Sequence, residues 1–265
     1  MTDLDVLNPR QRAVAERALD EESAARRHLV VALSGGHAYG FPSPDSDLDL
    51  KAIHVAPTEA LLGLSPPAAN APDRIEVIDG VEIDYSSNEL QPVLVGMLQG
   101  NGNFLERVLS RFVLRTSPEH ASLRPLVARS LSRRLHRHYR GFASGQLREW
   151  EKDGFRSAKK LLYVLRTTLT GTHALLTGEV ETDVTLLLDE HGFPSARELV
   201  EAKRRGERSE LAPEVAERWR KEVGRAFDVL DAALARSVLP EEPPNVGELE
   251  AWLVELRRRG LNGLS

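Results

Sequence analysis

The chain has 265 residues, 41% hydrophobic and 28% charged, with 35 Lys and Arg against 40 Asp and Glu for a net charge of −5. That length allows one large domain or two small ones, each able to bury a core, and the acidic balance argues against a chain that coats nucleic acid over its whole surface. The lack of cysteine removes disulfides, thiolate zinc sites and thiol nucleophiles, so any metal is held by oxygen or imidazole, and oxygen donors suit Mg2+ or Mn2+. No apolar run approaches the ~20 residues of a membrane span. The segment Met1–Asp5 is acidic and lacks a basic-then-apolar signal pattern, so cytoplasmic residence and no membrane partner are expected.

Asn8-Pro9 joins an N-cap to a proline at the first helical position, and Val14, Ala15, Ala18 and Leu19 continue at helical spacing, which predicts a helix to about Arg27. Leu29–Leu33 reads as a short apolar strand. It breaks into Ser34-Gly35-Gly36, where two glycines let the backbone turn tightly and approach a phosphate-sized ligand. A turn-rich stretch from Gly40 to Ser46 follows. Asp47-Leu48-Asp49-Leu50-Lys51-Ala52-Ile53 then alternates as a half-buried strand does, with Asp47, Asp49 and Lys51 on one face and Leu48 and Leu50 in the core. Two carboxylates two apart beside a glycine turn point to a divalent-metal site, although Asp-x-Asp alone also suits a solvated strand edge.

Pro57 to Leu62 reads as a short capped helix and Ser65 to Pro72 as a loop. Arg74–Ile78 and Val81–Tyr85 flank Asp79-Gly80, a strong short-range signal for a two-residue hairpin turn, and place Glu82 and Asp84 on one face of the second arm. Ser86 to Glu89 resembles a capping region opening a helix over Leu90–Leu98 that ends at Gly100. Beyond Pro118 the pattern is helical: Leu123–Lys152, Ser157–Thr177, Asp183–Glu190, Ser195–Arg205, Pro213–Ser237 and Val246–Arg259, with a stiff linker at Pro240–Pro244. From Arg124 to Arg166 there are twelve Lys and Arg against three acids, a stretch suited to a polyanion or to solvated helix faces.

Gly35, Gly36, Asp47 and Asp49 together resemble the signature of the DNA polymerase beta nucleotidyltransferase superfamily. The wider run from Gly35 through His37-Ala38-Tyr39-Gly40, Pro44, Ser46, Asp47 and Asp49 resembles the bacterial and phage branch attached to RNA repair, the RlaP type. Gly36 departs from that branch's usual serine. Gly100-Asn101-Gly102-Asn103-Phe104-Leu105-Glu106 is similar to its Gly-Asn-Pro-Asn-x-x-Glu motif, with Gly102 for proline, and Lys159-Lys160-Leu161 to Leu165-Arg166, followed by Thr177-Gly178-Glu179, to its helical segment.

The resemblance implies an α+β fold: a nucleotidyltransferase core over 1–118, with a mixed sheet flanked by helices, and a C-terminal helical domain over 119–265 closing over the nucleotide. It implies an enzyme that moves an NMP from an NTP such as ATP to a hydroxyl acceptor, with an RNA end favoured. Two Mg2+ or Mn2+ ions would be held by Asp47 and Asp49, with Asp84 the third ligand if its strand pairs beside theirs; otherwise Asp84 is an exposed strand residue. Asp84 also becomes the candidate general base. Ser34, Gly35 and Gly36 would offer backbone N–H groups to the triphosphate. Lys159, Lys160 and Arg166 are the candidate phosphate cations; the two lysines point ~100° apart, so one of them reaches.

Other residues carry two readings. His37 is a phosphate contact or a local hydrogen-bonder, Asn101 and Asn103 are caps before they are pocket residues, and Tyr163 packs in the core or stacks on a base. Asp45 and Ser46 read as turn formers and His54 as structural. A small-molecule or protein hydroxyl is the alternative acceptor, and an NTP-binding regulator without turnover is the alternative function.

Overall fold

A computed structural model describes residues 5–262, so the acidic start at Met1–Leu4 lies outside the described residues. Packing divides the described residues into two compact units that are not consecutive in sequence: residues 5–34, 47–130 and 243–262 form the first, and 35–46 with 131–242 the second. Residues 35–46, which carry the two glycines and the loop after them, fall in the helical unit.

The first unit is built on a five-stranded mixed sheet in the order β3-β4-β2-β1-β5, with β1 Arg27–Leu33, β2 Leu48–Val55, β3 Arg74–Ile78, β4 Val81–Glu89 and β5 Val113–Thr116. Only β2 and β4 pair in parallel; the other neighbours are antiparallel. Helix α1, Pro9–Ala25, packs across β1, β2 and β4. A reciprocal capping box starts it: Asn8 Oδ1 accepts from Gln11 N at 2.9 Å and Gln11 Oε1 accepts from Asn8 N at 3.1 Å. Alternation in β2 resolves as expected, with Leu48 and Leu50 fully buried and Asp49 and Lys51 half-buried. Each leucine contributes roughly 1.5–3 kcal/mol by leaving water. At the β3–β4 turn, Asp79 and Gly80 take φ of 49° and 72°, the paired left-handed geometry of a type I′ turn.

One boundary differs in an informative way. Ser86 to Glu89 continues β4, whose parallel register with β2 runs from Leu48↔Ile83 to His54↔Glu89, and of the expected capping region only Glu89 opens the next helix. The inward positions there are polar and satisfied internally: Ser87 Oγ lies 2.8 Å from His54 Nδ1, and the buried Glu89 pairs with Arg257. Polar inward residues hide a strand from a hydrophobic-alternation reading. Glu89 then caps helix α4, Leu90–Leu98, accepting from Gln91 N at 2.7 Å. Helix α3 is Thr58–Leu62, α5 is Gly102–Leu109, α6 is Pro118–Arg129 and α12 is Val246–Asn262.

The second unit surrounds α8, Ala158–Thr177, which is buried along most of its length. Ser157 Oγ caps it by accepting from Lys160 N at 3.2 Å, and Gly178 ends it at φ 79°. Around it stand α7 Leu135–Lys152, α9 Val184–Leu187, α10 Arg197–Arg204 and α11 Pro213–Ala235. Gly171 lets α7 approach closely, because a Cβ there would stand 2.7 Å from that of Tyr139. The expected run from Leu123 to Lys152 is therefore two helices, interrupted after Arg129, where Ser130 Oγ turns back to Val127 O at 2.8 Å. The short helix α2, Gly35–Tyr39, and the loop to Ser46 pack within this unit: Tyr39 and Phe41 meet Tyr163 with ring centroids 5.6 and 5.9 Å away.

Candidate active site

Parallel pairing of β2 with β4 makes Asp49 and Asp84 register partners, so both side chains leave the same face of the sheet. The half-buried Asp47 immediately precedes β2. Lys51 shares this face, its Nζ 2.8 Å from Asp84 Oδ1 and 3.7 Å from Asp49 Oδ1. Two carboxylates therefore converge on one ammonium, and an oxygen-only donor set around a positive charge matches what a hard divalent cation requires. Among the described residues the three aspartates do not yet form a group with all ligand atoms within 4.8 Å of one another. Ser34 N donates to Asp49 O at 2.9 Å, tying the end of β1 to the same strand.

In the helical unit, Gly35 has φ 62°, a conformation that a side chain resists, whereas a Cβ on Gly36 would meet ordinary contacts at 3.4–3.5 Å. A Cβ is therefore accommodated at position 36. His37 is buried. Arg166, 1% exposed, lays its guanidinium 3.9 Å from the centroid of Tyr39, against the helix that carries both glycines. Lys160 is held by Asp153 at 3.5 Å and by Glu149 O at 3.3 Å, and Lys159 is paired with Glu207. The structure thus brings Asp49 and Asp84 together in one unit, and Arg166 and the diglycine helix together in the other.

A network that the sequence did not reveal surrounds the loop before Asp47. Lys203, 1% exposed, sends its ammonium to Ser43 Oγ at 2.7 Å, Ser46 Oγ at 3.2 Å and Glu207 Oε2 at 2.5 Å. Glu207 N donates to Asp45 Oδ1 at 3.0 Å. Burial would raise the Glu207 carboxyl, but hydrogen bonds and charge from Lys159 and Lys203 outweigh it and hold it at about 2. Asp45 and Ser46 are turn formers, as expected, and partners of this network. The one local signal was Lys203 falling in phase with Leu199 and Val200 on the buried side of an amphipathic helix.

Several expected residues have structural duties. Asn101 caps α5 by accepting from Asn103 N at 3.1 Å just after Gly100 turns at φ 85°, so the glycine-asparagine motif forms a helix-to-helix corner. Tyr163 belongs to the aromatic cluster. The basic stretch is largely neutralised in space: Arg129 pairs with Glu248, Arg133 with Glu241, Arg134 with Glu242, Arg140 with Asp231, and Arg156 with Glu210. Those acids lie far along the chain, which a local charge count cannot register.

A model of a family described as "RNA repair pathway DNA polymerase beta family", RlaP, matches residues 11–255. An uncharacterized protein of Methanocaldococcus jannaschii is 31% identical over 155 residues, 58% of this chain and 63% of its own length, so the chain spans less than two thirds of that relative. The crystal structure of a nucleotidyltransferase-like protein from Exiguobacterium sibiricum matches at 12% identity and a TM-score of 0.35, covering 94% of this chain and 80% of that one. Among the described residues no helix is long and apolar enough to cross a membrane.

Proposed function

Since the chain belongs to the RlaP family, a polymerase-beta-type nucleotidyltransferase family, we propose that it transfers an NMP from an NTP to a hydroxyl acceptor, an RNA end being favoured. The observation that carries this reading is the pairing of Asp49 with Asp84 across parallel strands, both within reach of the Lys51 ammonium. Asp47, Asp49 and Asp84 would hold Mg2+ or Mn2+. When bound, such ions neutralise charge on the phosphate oxygens and the leaving group.

The acceptor oxygen attacks the α-phosphorus, the bond from that phosphorus to the α–β bridging oxygen breaks, and pyrophosphate departs. Asp84 takes the acceptor's hydroxyl proton on its carboxylate. Backbone N–H groups of Gly35 and Gly36 bind the triphosphate, with Lys159 or Lys160 adding charge once released from its acidic partner; the Ser34 N–H, expected to join them, is already given to Asp49 O. Lys51 is suited to exchange its carboxylate contacts for a phosphate oxygen. Arg166 supports this by holding Tyr39, and with it the diglycine helix.

The neutralised arginines favour a second reading of the acceptor, a small-molecule or protein hydroxyl. Incubation with each α-labelled NTP, Mg2+ or Mn2+, and separate RNA, small-molecule and protein acceptor pools distinguishes these. Label on RNA ends that falls steeply with salt is expected. Label on another pool with little salt dependence moves the acceptor to the second reading. NTP binding without labelled product in any pool overturns transfer and leaves an NTP-binding regulator.

A further inference from the structure

His173, Glu190 and His191 form a second polar cluster, in the helical unit, that the proposed chemistry does not use. His173 projects from α8, and Glu190 and His191 lie in the turn after α9, held by His191 N donating to Leu187 O at 3.1 Å. His173 Nδ1 is 3.3 Å from Glu190 Oε1, His191 Nε2 is 3.9 Å from the same oxygen, and all three ligand atoms lie within 4.8 Å of one another.

His191 decides between a structural hydrogen bond and a ligand site. Its side chain is 5% exposed, yet Nε2 is buried without a hydrogen-bond partner. A buried polar atom left unpaired costs about 1–3 kcal/mol, and here the nitrogen faces a carboxylate and a second imidazole. Arg225, which flanks the turn, is directed to other partners: it donates to Gly192 O at 2.7 Å and stacks 4.0 Å from the Phe193 ring.

We infer that His173, Glu190 and His191 form a binding site for a borderline transition-metal dication of the Zn2+ class, fastening α8 to the turn that follows α9. Two imidazole nitrogens and one carboxylate oxygen select Zn2+ over Mg2+. Bonds of about 2.0–2.1 Å put tetrahedral ligands about 3.3–3.4 Å apart. The His173–Glu190 separation already has that value, and the half-exposed Glu190 needs only a side-chain rotation to close on His191. Three protein ligands leave the fourth position to water on the open side of Glu190.

The test is titration of chelator-treated full-length protein with ZnCl2 and CoCl2 in the Asp49→Asn background, which removes the proposed Mg2+ site from the readout. One Zn2+ per chain binding at micromolar Kd or tighter is expected, with a Co2+ absorption spectrum showing nitrogen ligation. A hundredfold excess of Zn2+ over Kd raises Tm by roughly 5 °C. His173→Gln and Glu190→Gln, both at partly exposed positions, abolish the Tm shift while leaving the metal-free Tm within about 2 °C. Equal shifts in these variants and the parent, or no saturable 1:1 binding, overturn the site. Nucleotidyl transfer by Glu190→Gln in the otherwise native chain is expected to be unchanged, so failure of the transfer reading and failure of this site remain distinguishable.

Discussion

The chain carries two ionic clusters, one in each unit, and they are built on opposite principles. In the helical unit the buried Lys203 is saturated by Glu207, Ser43 and Ser46, while Glu207 is answered by a second lysine, Lys159. In the sheet unit Asp49 and Asp84 share one ammonium on a half-buried face and keep surplus negative charge. A saturated, buried network fixes the loop that leads into Asp47. The half-buried one sets two carboxylates beside a single exchangeable ammonium. The comparison teaches that burial and satisfaction, more than the number of charges, separate a structural cluster from a candidate site.

The largest stability change is expected where the saturated cluster is broken. Glu207→Gln leaves the Lys203 ammonium buried without its counter-charge and should destabilise by about 3 kcal/mol, read as a fall in the urea midpoint. Lys203→Met replaces the charge by an apolar chain of similar length while Glu207 keeps Lys159, and should cost clearly less. Equal losses would contradict the account of Lys203 as the buried, dependent partner. Acid titration sharpens the same point. Glu207 is held at about 2 in the folded chain against an ordinary 4.5, so its contribution is present above pH 4.5 and is lost as pH falls toward 2. Stability of Glu207→Gln should show a shallower decline across that window.

The diglycine turn offers a smaller contrast. Gly35→Ala places a Cβ at φ 62° and should cost about 1–2 kcal/mol, whereas Gly36→Ser, with room for the Cβ, should stay within about 0.5 kcal/mol of the parent by thermal melting.

Local signals made the fold legible where the chain obeys short-range rules. Asn8-Pro9 and Asp79-Gly80 each mark an element end that the structure reproduces, because caps and left-handed turns depend on one or two residues. The alternation of Leu48 and Leu50 with Asp49 and Lys51 also survives folding, and β4 pairs beside β2 with Asp84 opposite Asp49. Hidden features are those that depend on residues far apart. Ser86–Glu89 is a strand because His54 and Arg257 satisfy its polar inner face. Lys203 and Glu207 act on Ser43 and Ser46 from about 160 positions away. The basic stretch reads as a polyanion surface only until Asp231, Glu241 and Glu242 are placed beside it.

The most direct test of the central claim measures Mn2+ binding and NMP transfer on the same preparations of the parent, Asp49→Asn and Asp84→Asn. Both variants should keep the parental Tm, lose Mn2+ affinity, and lose transfer by on the order of 10²–10⁴-fold. Parental Mn2+ binding and transfer in either folded variant would contradict it.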